Sequence, residues 1–121
     1  MSIISLRKNA DFLRLKKSSN KFFTKIAVIV VANTPHIDNA ILSSTVRTGF
    51  IVTKKIGIAV QRNRVRRRLK EAFKKAYTSC QIKGFDIIVI AKKDSLSIKF
   101  IDIVNALVQV FQKLKVNNEN I

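Results

Sequence analysis

Groups that commonly carry out enzymatic chemistry are scarce in this sequence. Cysteine occurs once, at Cys80, and histidine once, at His36. A single cysteine excludes an internal disulfide and a cysteine-rich zinc site, and because no histidine lies near it in the chain, we interpret Cys80 as an inert residue near a helix end. His36 follows Pro35 in a predicted loop, where a surface role is the better interpretation than a general base.

Acidic residues and glycines are also few, and their spacing does not indicate a catalytic site. The seven Asp and Glu residues are dispersed, and no two lie three or four positions apart. This spacing argues against paired catalytic carboxylates and against a dedicated metal cage. The three glycines, Gly49, Gly57 and Gly84, do not form a phosphate-binding loop of either common kind. We therefore predict no catalytic residue and no metal ligand set in this chain.

Apolar runs of membrane type are lacking as well. The longest run, residues 26–32, is far shorter than the roughly 20 residues of a membrane-spanning helix. The first residues, MSIISLRKNADF, lack the cationic opening, apolar core and small-residue cleavage site of a signal peptide. We expect a cytoplasmic protein without a membrane partner.

Positive charge, in contrast, is abundant. The chain has 24 Lys and Arg against 7 Asp and Glu, a formal charge of +17 and a pI of about 10.8. Because 47% of its residues are hydrophobic, the chain also has enough apolar surface to fold, unlike a disordered basic tail. Residues 1–121 are therefore predicted to form a single domain that binds a nucleic acid.

The cations concentrate between residues 54 and 75, where Glu71 is the single anion. Between residues 62 and 68 all five cations are arginines, and the planar guanidinium of arginine can bind phosphate oxygens through two donors at once. A solvated helix face is the simpler alternative, but ten cations beside one carboxylate favour a polyanionic partner. The ten are Lys54, Lys55, Arg62, Arg64, Arg66, Arg67, Arg68, Lys70, Lys74 and Lys75.

Hydrophobic periodicity and turn formers divide the chain into helices and strands. Helices are predicted over residues 9–17, after Gly57, and after Ser97 as an N-cap, with a frayed tail over 115–121. Strands are predicted over residues 25–32, 47–53 and 85–91, with a long loop at 33–45 between the first two. A strand, a helix and a strand in succession imply a crossover that keeps the two strands parallel.

The helix after Gly57 sorts its side chains by face. Val65, Leu69, Ala72, Phe73 and Ala76 form one apolar stripe at about 100° per residue. One flank of this stripe presents a ladder of donors: Arg62, Asn63, Arg66, Arg67, Lys70 and Lys74. Arg64, Arg68 and Lys75 fall on the other flank.

Residues 50–73, FIVTKKIGIAVQRNRVRRRLKEAF, closely resemble the signature of the bacterial ribonuclease P protein subunit. The shared features are a strand ending in Lys-Lys, a Gly, an Ala-Val step, and Arg-Asn-Arg followed by a basic helix. The resemblance implies an α+β sandwich with the order α-β-β-β-α-β-α, a mixed four-stranded sheet and a left-handed β-α-β crossover, which departs from the usual right-handed rule. It also implies a short first strand near residues 18–22.

The resemblance further implies a partnership with a catalytic RNA that removes the 5′ leader of precursor tRNA. The chemistry would then reside in the RNA, with magnesium required by the holoenzyme and no cofactor bound tightly by the protein, and no protein partner would be required. Asn63 would lie near hydrated magnesium. The implied contacts to the RNA subunit are Lys54, Lys55, Arg62, Asn63, Arg64, Arg66, Arg67 and Lys70.

The resemblance places the leader in a cleft between the sheet and the first helix. Phe12 would form one wall, with Phe22, Phe23 or the strand that contains Ile26 opposite. Lys92 would also contact the leader. Stacking of bases on aromatic rings tolerates any sequence and contributes about 1–3 kcal/mol per base. Phe12 is equally well interpreted as a core anchor for its helix.

Two positions depart from the family pattern, and rival functions stay open. Lys70 stands where arginine is usual, and Lys16 where a second aromatic residue is common. A ribosomal-type or chaperone RNA-binding protein would have the same charge, as would a DNA-architectural protein, but neither accounts for the spacing of the 24-residue segment.

Overall fold

The computed structural model describes residues 3–6, 9–17, 20–34 and 45–119. These residues form the strands β1 (Ile3–Ser5), β2 (Lys21–Phe23), β3 (Ala27–Asn33), β4 (Val46–Ile51) and β5 (Phe85–Ala91). The α-helices are α1 (Asn9–Lys16), α2 (Ala59–Ser79) and α3 (Phe100–Glu119). Short 3-10 turns at Lys54–Ile56 and Lys93–Leu96 precede α2 and α3.

The strands form one mixed sheet with the order β1-β4-β5-β3-β2. The central strand β5 is parallel to β4 and antiparallel to β3, while β1 and β2 occupy the edges. Because α2 connects the parallel strands β4 and β5, the predicted crossover and the α+β class are confirmed. The hand of the crossover stays a prediction from the resemblance.

The sheet has five strands rather than the predicted four. The additional strand is β1, in which Ile3 and Ile4 pair with Val46 and Arg47 of β4. Three residues are too short a run to show a period, so only the pairing identifies this strand. The short strand predicted near residues 18–22 is β2, which occupies Lys21–Phe23, while residues 18 and 19 lie outside the described part of the chain.

Alternating side chains give the sheet two apolar faces, each covered by helices. On one face α2 and α3 pack over residues that include Ile29 and Ile87. On the opposite face Leu15 of α1 packs with Val30 and Ile88. The chain is therefore layered as α2 and α3, sheet, and α1.

The last helix differs from its prediction at both ends. Ser97 is not its N-cap, because its backbone N–H and its hydroxyl both donate to the Asp94 carbonyl, at 3.1 and 3.3 Å, and so close the preceding turn. The helix begins at Phe100 and extends to Glu119, so residues 115–119 are helical rather than a frayed tail. Leu114 is buried and holds this end against the core.

Some predictions fall on residues that are not described, namely positions 35–44 of the long loop, including His36, and the last two residues of the tail. Among the described residues, no helix combines the length and apolar character that crossing a bilayer requires.

Candidate nucleic-acid interface

The joint between β4 and α2 is held by side chains that bond to the backbone. Gly57 has φ 153°, a conformation that favours glycine, and a Cβ there would lie 2.0 Å from Oε1 of Gln61. That oxygen accepts a hydrogen bond from the Ile58 N–H at 3.0 Å, and Nη1 of Arg62 donates to the Gly57 carbonyl at 3.0 Å. The exposed side chains of Lys54 and Lys55 precede this joint.

The apolar stripe of α2 is buried as predicted, which determines the direction of its cations. Val65, Leu69 and Ala72 are completely buried, and Phe73 contacts the rings of Phe50 and Phe111 edge-on, with centroids 5.9 and 5.1 Å apart. These contacts prevent α2 from rotating about its axis. The polar flank must consequently face solvent.

Most of the predicted ladder lines one shallow groove of about 240 Å³ on this flank. Nη1 of Arg66 donates to Oδ1 of Asn63 at 3.2 Å, which orients both side chains across one helical turn. The acid on this flank, Glu71, lies 3.7 Å from Nζ of Lys74 and is itself exposed, so it compensates little of the charge. The groove is lined by Asn63, Arg66, Arg67, Lys70, Glu71 and Lys74.

Arg68, on the other flank, stabilises the fold instead. Its Nη1 donates to the carbonyls of Ser95 and Leu96 at 2.9 and 3.3 Å, and its Nη2 donates to the carbonyl of Ile98. Arg68 thus connects α2 to the turn before α3. Its place on the flank opposite the ladder is the one sequence signal that separates it from its neighbours. Arg64 is exposed and does not line the groove.

Phe12 lies directly on the backbone of β4. A Cβ at Gly49 would be 2.8 Å from two ring carbons of Phe12, so glycine is required for this approach. The half-buried ring also lines a small cavity of about 180 Å³ that reaches Arg66 and Lys70. Phe12 is therefore both an anchor of α1 and part of an accessible wall beside the ladder.

Phe22 does not face this cleft, contrary to the expected grouping of leader contacts. It packs with the core of α2 and α3 and lines a cavity of about 430 Å³ with Gln109, Gln112, Lys113 and Val116. Ile26 belongs to the same core. Because neighbours in a strand point to opposite faces, Phe23, which is 73% exposed, lies on the α1 side instead.

Lys92 is brought together with a residue predicted to bind the RNA subunit. With Lys55 and Lys93 it lines a cavity of about 450 Å³ beyond the carboxyl ends of β4 and β5. Its Nζ donates to the Thr24 carbonyl at 2.6 Å, which fixes its position. Lys55 therefore belongs to this cationic cavity rather than to the groove on α2.

A buried ion cluster, which the sequence did not reveal, holds α1 in place. Asp86 is fully buried in β5 and accepts from Nε and Nη2 of Arg47 at 2.8 and 2.5 Å, from the Thr34 hydroxyl at 2.9 Å, and from Nη2 of Arg14 on α1. The one feature of the sequence that could have indicated this cluster is the carboxylate of Asp86 within the otherwise apolar strand FDIIVIA.

Groups for catalysis or metal binding do not converge in the described ranges. Those ranges contain no group of three or more His, Cys, Asp and Glu side chains that could hold a metal ion. Cys80 is buried directly after α2, as its predicted place near a helix end requires. The side chains that do cluster in the described ranges are mainly guanidinium and ammonium groups, which are suited to binding phosphate.

Comparison with known proteins identifies the family of this chain and agrees with its fold. The model of the family described as Ribonuclease P matches residues 3–115. The ribonuclease P protein component of Staphylococcus aureus is 34% identical over 116 residues, which cover 96% of this chain and 94% of the relative. The solved RNase P protein of Staphylococcus aureus aligns with a TM-score of 0.71 at 33% identity, covering 93% of this chain and 95% of that one. That of Thermotoga maritima aligns with a TM-score of 0.73 at 25% identity, covering 90% and 96%. The chain belongs to the ribonuclease P protein family.

Proposed function

We propose that this chain is the protein subunit of ribonuclease P. In this role it binds the catalytic RNA and the 5′ leader of precursor tRNA, and it supports the endonucleolytic removal of the leader that produces the mature 5′ end. The RNA subunit performs the chemistry, and the protein contributes binding and orientation. The two subunits act together in the cytoplasm without a further protein partner.

The observation that carries the proposal is the groove of α2. The buried apolar stripe fixes the orientation of this helix, so the cations that line the groove face solvent together. Arg66 and Arg67 offer guanidinium donors to phosphate oxygens, and Lys70 adds charge without a bidentate fork. Arg62 and Arg64 extend this surface toward the start of the helix. Binding there neutralises part of the RNA charge and releases counterions, which favours association and reduces repulsion between the RNA subunit and its substrate.

The leader is assigned to the α1 side of the sheet. Phe12 and Phe23 offer ring faces to unpaired bases, and such stacking tolerates any leader sequence. Lys92, with Lys55 and Lys93, supplies charge for phosphates at the carboxyl ends of the parallel strands. Phe22 is left out of this assignment because it lies on the other face.

Magnesium does not fit as a direct ligand of this surface. The Asn63 oxygen already accepts from Arg66, and the groove has four cationic side chains against the single carboxylate of Glu71, a balance that repels a divalent ion. Magnesium required by the holoenzyme is therefore assigned to the RNA, with Asn63 near its hydration shell at most.

Reconstitution tests this function directly. A bacterial ribonuclease P RNA is combined with the purified chain at a magnesium concentration too low for cleavage by the RNA alone, and release of the leader from precursor tRNA is measured. We expect the chain to restore cleavage and the Arg66→Ala/Arg67→Ala variant to restore much less. A chain that binds RNA but leaves cleavage unchanged would instead be a ribosomal-type or chaperone RNA-binding protein.

A further inference from the structure

Two large apolar side chains are exposed at the start of the basic helix. Ile58, the residue that precedes α2, is 67% exposed, and Val60, in its first turn, is 73% exposed. Single exposed apolar residues are common on protein surfaces, but these two flank the same backbone turn between the exposed Lys54 and Lys55 and the ladder. Apolar atoms among cations have no evident role in solubility, so a partner that covers both kinds of group is the natural explanation.

The exposure is a property of an ordered turn. The Ile58 backbone is extended, with φ −71° and ψ 168°, and its N–H is bonded to the Gln61 side chain. Arg62 donates a hydrogen bond to the Gly57 carbonyl. Ile56, two residues before Ile58, is buried, with only 5% of its surface exposed. Ile58 and Val60 therefore project from a backbone that is fixed on both sides, which lowers the entropy lost when a ligand covers them.

The position of the pair indicates the chemistry of its partner. On an α-helix, Val60 lies on the same face as Asn63 and Arg67, three and seven residues later, so it continues the line of the groove. A polyanion bound to that groove presents phosphates to the cations and, wherever its bases are unpaired, flat apolar faces. An apolar protein surface would lack the negative charge that the surrounding cations require.

We propose that Ile58 and Val60 form an apolar contact for an unpaired nucleobase of the RNA subunit, next to the phosphates bound by the groove. This inference rests on the function proposed above. The contact adds a component of affinity that does not depend on salt, because burying apolar surface releases no counterions, whereas each phosphate contact does.

The test uses affinity for a bacterial ribonuclease P RNA as a function of salt. The double variant Ile58→Ser/Val60→Ser is expected to bind at least about tenfold more weakly. This is the loss of affinity expected when one or two aliphatic side chains are no longer buried in the complex. The slope of log affinity against log salt should stay that of the unmodified protein. The heat-capacity change of binding should become less negative, since less apolar surface is buried.

Two matched variants complete the experiment. Ile101→Ser removes a comparably exposed isoleucine, 53% exposed, from α3 and should not change the affinity. Ile58→Leu/Val60→Ile keeps the apolar surface and should retain the affinity, which separates loss of contact from loss of folding.

Unchanged affinity in the serine variant would overturn the inference, as would a loss that comes with a reduced salt slope, because the lost contact would then be to phosphate. If the serine variant lost binding to anionic lipid vesicles but still bound RNA as the unmodified protein does, the pair would belong to a membrane-binding surface. That result would also overturn the inference. If the unmodified protein does not bind the RNA at all, the proposed function fails as well.

Discussion

At the scale of the residue, the arginines of α2 carry the same charge but do different work. Arg62 and Arg68 donate to backbone carbonyls, at Gly57 and in the turn before α3, and so stabilise the fold. Arg66 donates to Asn63 and lines the groove. Charge alone therefore does not identify a ligand contact. The hydrogen bonds that each guanidinium already makes within the protein determine how many of its donors remain for a ligand.

Asp86 is the residue whose replacement should affect stability most. In Asp86→Asn, the side chain of Arg47, which is 14% exposed, would lose the carboxylate that neutralises it. Removing one partner of a buried ion pair costs about 3–5 kcal/mol, and we expect a decrease of that order in the free energy of unfolding measured by urea denaturation. Glu71→Gln, which affects an exposed pair, should change it by less than about 1 kcal/mol. Equal small effects would mean that the cluster contributes little.

Tyr77 should make stability fall at high pH. Burial raises the pKa of its phenol above the usual value of about 10, so above that pH the unfolded chain loses this proton more readily than the folded chain. The contribution of the Tyr77 phenol to the free energy of unfolding is fully present below about pH 10 and is lost as the pH rises through the pKa of the folded state. Because the sequence has one Tyr and no Trp, tyrosinate absorbance follows this group alone.

Urea midpoints measured across this range should fall more steeply for the unmodified protein than for Tyr77→Phe. Tyr77→Phe should also be no less stable near neutral pH, since the buried hydroxyl has no hydrogen-bond partner among the residues that the structure describes. Parallel pH profiles for the two proteins would contradict this account.

At the scale of the element, α2 buries its apolar stripe against the core and presents the ladder to solvent. If Arg66 and Arg67 each contact a phosphate, replacing both by alanine should reduce the salt slope of RNA affinity by about two units, close to one per lost contact. Lys75→Ala removes an exposed cation of the same helix from the opposite flank and should change the slope less. An unchanged slope in the double variant would show that these arginines do not contact phosphate.

Helix α1 is short and depends on few contacts, chiefly Leu15, Phe12 on Gly49, and the pair between Arg14 and Asp86. Its placement brings Phe12 to the cleft, so the two interpretations of Phe12, core anchor and leader contact, are not exclusive. They can be separated by a substitution that keeps much of the apolar volume and removes the ring.

Phe12→Leu should preserve much of the stability, because leucine keeps an apolar side chain at this half-buried position. It should nonetheless weaken holoenzyme binding of precursor tRNA by about tenfold, the equivalent of one lost stacking contact, and leave mature tRNA unaffected. Phe22→Leu, on the opposite face of the sheet, is the control and should affect neither substrate. Equal losses for precursor and mature tRNA would identify Phe12 as an anchor only.

At the scale of the whole molecule, the charge of +17 that favours the proposed RNA binding also destabilises the compact state through repulsion between like charges. Raising potassium chloride from about 10 mM to about 150 mM shortens the screening length from about 30 to about 8 Å, so the repulsion within the folded protein should weaken. We expect the melting temperature to rise over this range and to rise less in a variant in which several exposed lysines are replaced by glutamine. A melting temperature independent of salt would indicate that self-repulsion is unimportant.

Much of this architecture follows from patterns that are local in the chain. Val65, Leu69 and Phe73 recur at helical spacing, and their burial determined the ladder flank correctly. The pattern failed where a residue's partner is distant in sequence. Ser97 has a side chain typical of an N-cap, but its hydroxyl donates to the Asp94 carbonyl. The strand β1 forms because Ile3 pairs with Val46, and three residues are too few to show the periodicity of a strand.

The sequence by itself predicted a polyanionic partner and determined the basic helix and the face it presents, because charge and periodicity are properties of consecutive residues. Only the tertiary structure decided which side chains share a surface. It placed Phe22 and Phe12 on opposite faces, brought Lys92 to Lys55, and assigned Arg68 and Asp86 to the framework. The reason is physical: strand order, register and helix packing bring together groups far apart in the chain, and those contacts determine which charges are neutralised and which remain for a ligand.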